Sequence, residues 1–187
     1  MTVEQAVEAI QAGGVIGLPT DTVYGIGADP TNEAAVSRLF EMKGRPANKP
    51  IGLLVASLEQ ARQIGEIEGV AEDLAVRHWP GALTLVVTPA VILANWVGDA
   101  QLRTVGLRVP DHRVAIELLT ATGPLAVTSA NLSGRPEAMS DREARAAFGD
   151  KVAVYLDGAA PGGEASTVID VTGNGVVVLR QGPIRIV

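Results

Sequence analysis

A chain of 187 residues, 47% of them apolar and 19% charged, can bury one sizeable hydrophobic core and is too apolar to stay disordered. Its net charge of −6 argues against a surface that grips nucleic acid over a broad area, so an anionic ligand has to be met by a local group of cations. The absence of cysteine excludes disulfides, thiol nucleophiles and cysteine-ligated zinc, and the two histidines, His78 and His112, fall in no HExxH-type pattern.

Along the chain, Thr2 and Gln5 form a capping-box pattern ahead of Val3, Ala6, Val7 and Ile10 at helical spacing, and Gly13-Gly14 stops that helix. Glutamates stand in this first stretch where a secretory signal would carry Lys or Arg, which predicts mature sequence and a cytoplasmic protein. "VIGLP" and "VYGIGA" read as strands around a polar "TDT" turn, and Thr31 is expected to cap a helix running towards Met42. "KGRPANKP" follows as a loop, because Gly44, Pro46 and Pro50 break any helix, and "IGLLVA" is the next strand. Ser57 with Gln60 repeats the capping box. A helix is predicted over Ala71 to His78, with His78 a helix-end packing residue favoured by the dipole.

"ALTLVV" is a buried strand that Pro89 ends. Trp79 to Gly98 is uncharged, but Pro80, Gly81 and Pro89 among polar Thr84, Thr88 and Asn95 make it a poor membrane span. "TVGLRVP" is another strand, Asp111 is expected to cap a helix through Leu119, and "PLAVTSA" leads into the polar loop "NLSGRPEAM". Ser140 with Glu143 makes a third capping box, and the strands "VAVYL", "STVIDV" and "GVVVLR" finish the chain. Without repeat or linker, these elements predict a single α/β domain over residues 1–187 with a mixed, twisted sheet.

The common nucleotide motifs fail. "GIGADP" has Pro30 where a dinucleotide fingerprint needs its third glycine, no lysine follows a glycine as a Walker A loop requires, and there is no GxSxG elbow. What remains is "KGRPANKP", which holds Lys43 and Lys49, two of three lysines in a chain whose other cations are arginines, together with Arg45 and no carboxylate. Two compact ammonium charges and one planar fork in a proline-fixed loop suit a polyphosphate. "TSANLSG" follows an apolar strand and brings Thr128, Ser129, Asn131 and Ser133 to a strand end, where α/β proteins bind ligands. In "PTDTVYG", Thr20, Thr22 and Tyr24 alternate at a strand start and are expected to face one pocket.

With these segments in order, the chain resembles the YrdC-like family of threonylcarbamoyl-AMP synthases. The matching stretches are "GLPTDTVYGIGADP", "KGRPANKP", "WPGALTLVV", "LRVPDH", "PLAVTSANLSG", "STVID" and "LRQGPI", which span nearly the whole sequence. The resemblance implies a curved mixed sheet with flanking helices around a deep cleft. It implies ATP, L-threonine and bicarbonate as substrates, with magnesium accompanying the ATP on unspecified ligands. It implies a separate tRNA threonylcarbamoyl transferase as the partner that receives the product.

By the same resemblance, Lys43 and Arg45 with Ser129 and Asn131 form the KxR and SxN elements that meet the nucleotide, and Lys49 completes the phosphate contact. Arg180 is the candidate for the ribose or α-phosphate side. Thr20, Thr22, Tyr24, Arg108 and Ser166 match positions that approach threonine and the adenylate. Ala165 departs from the family's usual proline, and the sequence resembles the short, single-domain form. Direct RNA binding is not carried over, given the acidic charge. Two alternatives stay open: a module that binds double-stranded RNA or tRNA without catalysis, and a carbamoyl-adenylating domain that uses carbamoyl phosphate, as in hydrogenase-maturation carbamoyltransferases.

Overall fold

The computed structural model describes residues 1–44, 49–173 and 175–186. The chain runs α1 (Val3–Gln11), β1 (Ile16–Leu18), β2 (Gly25–Ala28), α2 (Glu33–Lys43), β3 (Gly52–Leu54), α3 (Leu58–Arg62), α4 (Val70–His78), β4 (Leu83–Val87) and β5 (Val105–Arg108). It continues with α5 (Arg113–Thr122), β6 (Leu125–Ser129), α6 (Asp141–Phe148), a 3-10 turn, β7 (Val154–Tyr155), β8 (Thr167–Asp170) and β9 (Val177–Arg180). The strands form one mixed sheet in the order β7-β1-β2-β6-β3-β5-β4-β8-β9. The β1–β7, β3–β5 and β4–β8 pairs are parallel and the others antiparallel. This is the single α/β domain with a mixed sheet that the element pattern predicts, with the flanking helices that the resemblance implies.

The three capping boxes anticipated at Thr2, Ser57 and Ser140 all cap: each side chain accepts the backbone N–H three residues on. Two helix starts differ. Asn32, not Thr31, caps α2, because Asp29 Oδ1 already takes both the N–H and the hydroxyl of Thr31 in a local turn. Asp111 does not cap α5; the N-cap is His112, and the Asp111 N–H is turned instead onto Asp21. Among the described residues the Nδ1 of His112 is buried without a hydrogen-bond partner, and burial lowers the imidazole pKa.

Strand alternation divides the core into two layers. On the first face, Ile26, Leu53, Leu83, Leu85, Val105, Leu107 and Ile169 pack with Leu39 and Phe40 of α2, Leu74 of α4 and Phe148 of α6, and Tyr24, just before β2, joins the same cluster. On the second face, Ile16, Leu18, Leu54 and Leu125 pack under α1 and α5 through Ala6, Ile10, Ala115, Leu118 and Leu119. The register makes that second layer informative. Leu54 pairs with Arg108, Leu85 with Leu107 and Thr84 with Val168, so Arg108, Thr84, Val86, Gly106 and Val168 extend the face that α1 and α5 cover elsewhere.

There Thr84, Val86, Gly106 and Val168 are only half-buried, whereas their strand neighbours Leu83, Leu85, Leu107 and Ile169 are fully buried. Gly52 and Gly106 leave this stretch as bare backbone, and a Cβ on Gly52 would sit 3.0 Å from the Gly106 carbonyl. The sheet therefore offers an uncovered, side-chain-poor floor beside a closed core. Among the described residues, no helix is long and apolar enough to cross a membrane.

Leu107 sits at the centre of the sheet with 0% exposure. Leu107→Ala is expected to cost about 2–5 kcal/mol through lost burial and an unfilled cavity. Urea unfolding of the variant against the native chain measures it.

Candidate active site

Lys43 is the last residue of α2 because Gly44 adopts the left-handed conformation, φ 62°, and returns its N–H to the Glu41 and Phe40 carbonyls. The lysine is 6% exposed. Its Nζ donates to the Ser129 carbonyl at 2.6 Å, Ser129 Oγ at 3.2 Å, the Asn131 carbonyl at 3.1 Å and Asn131 Oδ1 at 2.5 Å. Among the described residues, four oxygens thus face its three ammonium hydrogens and compensate a buried charge that would otherwise be costly. Ser129 Oγ donates on to Asn131 Oδ1 at 2.7 Å, Asn131 Nδ2 to the Arg135 carbonyl at 2.6 Å, and the Ser133 N–H returns to the Lys43 carbonyl at 2.9 Å.

Lys43, Ser129 and Asn131 are therefore one group, assembled from a helix end and a strand end 86 and 88 residues apart in sequence. Lys49 is exposed, and Arg45 lies outside the described residues.

A second group forms where the β1–β2 connection meets the end of β5. Arg108, 6% exposed, donates from Nε to the Gly81 carbonyl at 2.9 Å, from Nη1 to Thr22 Oγ1 at 2.8 Å and from Nη2 to Asp21 Oδ1. Burial lowers the Arg108 pKa and the Asp21 carboxylate opposes that shift; a guanidinium starts so high that it stays charged. The hydroxyls run in one direction. Thr20 spends its hydrogen on the Val23 carbonyl at 2.7 Å, so in the 3.0 Å contact between the two threonines Thr22 is the donor, while Thr22 accepts from Arg108. Thr20 Oγ1 also accepts the Thr22 N–H at 3.2 Å, which fills its second lone pair, so of the two hydroxyls only Thr22 keeps one lone pair to offer.

Tyr24 does not join them. It is fully buried in the first-face core, its hydroxyl donates to the Leu156 carbonyl at 2.7 Å, and burial raises its pKa far above the ordinary phenol value. The alternation argument does not reach it because residues 19–24 are not strand; β2 begins at Gly25.

The third group is Ser166 with Arg180. Arg180 donates from Nε to the Ser166 carbonyl at 2.9 Å and from Nη2 to Ser166 Oγ at 3.1 Å, and Ser166 Oγ shares a hydrogen with Thr84 Oγ1 at 2.8 Å. Partial burial lowers the Arg180 pKa, opposed by the Glu137 carboxylate of the loop after β6. Arg180 in turn depresses Arg108, so the second and third groups share a field. Ser129, Arg108 and Thr84 lie on the second face of the sheet, around its uncovered stretch.

Sequence reasoning missed Thr84 and gave Asp21 no role. Thr84 is the polar residue in "LTLVV", at the parity that points away from the core, and that parity was the available signal. Asp21 carries none, because its partner lies 87 residues away.

Two hollows are less suited to a phosphate. A depression of about 700 Å³ at the start of α2 is lined by Asp29, Thr31, Asn32, Glu33, Ala34 and Ser37, with carboxylates and no cation. A hollow of about 250 Å³ lies along the loop after β6 and mixes Arg135 with Glu137 and Glu143. Among the described residues no three carboxylates, histidines or cysteines come together to hold a metal ion. The described donor set therefore does not form a protein cage for magnesium, an ion commonly bound through substrate phosphates and water.

The Sua5/YciO/YrdC family, described as "Telomere recombination", matches residues 8–182. A relative from Mycobacterium tuberculosis is 48% identical over 96% of this chain and 83% of its own. A threonylcarbamoyl-AMP synthase from Vibrio cholerae is 39% identical over 96% of both chains. Among solved structures, P. abyssi Sua5 complexed with L-threonine superposes with a TM-score of 0.90 at 40% identity, covering 96% of this chain and 54% of that one. The chain thus spans about half the length of that protein. Over most of its length, in sequence and in fold, the chain belongs to the Sua5/YciO/YrdC family.

Proposed function

We propose that the chain is an L-threonylcarbamoyladenylate synthase, which joins L-threonine, bicarbonate and ATP and releases pyrophosphate. The observation that carries this reading is the contact of Lys43 Nζ with Ser129 and Asn131, which joins the two motifs whose residue types suit a nucleotide. Relatives named threonylcarbamoyl-AMP synthase, and a family member complexed with L-threonine, support it.

The chemistry requires no protein nucleophile. The neutral threonine amine adds to the carbon of bicarbonate with loss of water, giving a carbamate. A carbamate oxygen then bonds to the α-phosphorus of ATP as the bond to the β-phosphate oxygen breaks, and pyrophosphate leaves with the electron pair. The protein supplies placement and preorganised charge. Lys43, with Ser129 and Asn131, faces the phosphates, and Arg45 and Lys49 from the adjoining segment add to it. Arg180 and Ser166 hold the adenylate side. Arg108 takes the amino-acid carboxylate, and Thr22, whose oxygen keeps one lone pair while Thr20 holds it in place, accepts from the substrate amine. Magnesium would accompany ATP and offset part of the phosphate charge. In this reading the protein works in the cytoplasm, and a separate tRNA threonylcarbamoyl transferase accepts the product.

Purified protein with ATP, magnesium and bicarbonate is expected to release pyrophosphate only when L-threonine is added, and to stop when bicarbonate is withdrawn. Threonine-independent release, or turnover with carbamoyl phosphate in place of threonine and bicarbonate, would refute the reading. Lys43→Met should lower kcat/KM by about 100-fold or more, the usual loss when a preorganised donor leaves a reacting centre, with a melting curve checking that it folds. Threonine should be preferred to serine by roughly 10- to 200-fold, the discrimination one methyl group provides, measured by competition at matched concentration.

A further inference from the structure

Of the ion pairs among the described residues, those of Met1 and Arg62 lie at the surface, while Arg108–Asp21 is buried, with side-chain exposures of 7% and 15%. Three of the five guanidinium N–H groups of Arg108 are spent on Gly81, Thr22 and Asp21. One N–H remains on each terminal nitrogen, the number a carboxylate takes in a bidentate contact.

Asp21 is itself held fast. Its Oδ1 also accepts the Asp111 N–H at 3.0 Å, bolting the β1–β2 connection to the turn before α5. Gly162 approaches from outside so closely that a Cβ there would collide with the Asp21 carbonyl, and the Gly163 N–H donates to the Thr22 carbonyl at 3.0 Å. The carboxylate is thus an anchored acceptor at the edge of the Arg108 guanidinium.

We propose that Asp21 is a positioning residue: its Oδ1 fixes the Arg108 guanidinium so that the two remaining N–H groups meet the carboxylate of the amino-acid substrate. The inference rests on the synthase reading above and assigns a role to a residue that reading does not use. Asparagine at this position keeps an oxygen able to accept from both Arg108 and the Asp111 N–H; alanine keeps none.

Steady-state pyrophosphate release by the full chain, with KM for L-threonine and for ATP determined separately and a melting curve for each variant, tests it. Asp21→Ala is expected to raise the threonine KM about tenfold or more, the weight of one lost charge-assisted hydrogen bond, with the ATP KM within about twofold. Asp21→Asn should recover most of that loss. Parallel rises in both KM values, or an Asn variant as impaired as Ala, would mark Asp21 as merely structural. A lower threonine KM in Asp21→Asn would overturn the proposal too, since Asp21 would then be a competitor of the substrate. If Asp21→Ala does not fold, Asp21→Ser, too short to reach Arg108, replaces it with the same criteria. Threonine-dependent release by the native chain with an unmoved threonine KM in Asp21→Ala defeats the positioning role alone. No release from the native chain defeats the synthase reading and the positioning role with it.

Discussion

A buried ammonium has to be solvated by the protein, and that requirement at Lys43 organises the region around it. The helix must stop at Lys43 for the side chain to reach across to β6, and Gly44 provides the left-handed turn that stops it. The strand must end in carbonyl and hydroxyl oxygens that point back, and Ser129 and Asn131 provide them. With these oxygens already around the ammonium, an arriving anion finds a cation in place, and binding it exchanges acceptors rather than ordering a mobile side chain.

The same requirement recurs at buried Arg108, whereas Arg180 is more exposed and is held by its hydrogen bonds. Arg108 is balanced by a full carboxylate and a threonine, Arg180 by a serine hydroxyl and carbonyl. An overall acidic chain thus keeps three cations in position around a stretch of sheet that has little side-chain cover. A site of this kind concentrates positive potential where a polyanion reacts while leaving the outer surface acidic.

Much of this was legible in the sequence, for identifiable reasons. The capping boxes and the alternation in "LTLVV" are local, so they survive folding unchanged. The cluster of Lys43, Arg45 and Lys49 without a carboxylate is visible in the sequence, whereas the SxN segment is legible through the family resemblance, since Ser and Asn are ordinary turn residues, and nothing local says that Lys43 and Asn131 touch. Thr31 and Asn32 are both good caps, and only the competing turn at Asp29 decides between them. Tyr24 was grouped with Thr20 and Thr22 by a two-residue period, which has no force outside a strand. Asp21 stood between two singled-out threonines, yet its role depends on a pairing between distant segments that composition and periodicity do not encode.

At the far edge of the sheet, β9 pairs among the described residues only with β8, and Val177, Val178 and Leu179 are all exposed. A strand with one neighbour and little buried area opens at a fraction of the cost of global unfolding. Arg180 rides on that strand, so each brief detachment withdraws its guanidinium from Ser166 while the core stays intact. The same opening bares an uncharged valine-rich segment to other chains. Loss of the adenylate-side contact and the onset of aggregation would therefore share one fluctuation, and a partner or charge that pinned β9 would suppress both.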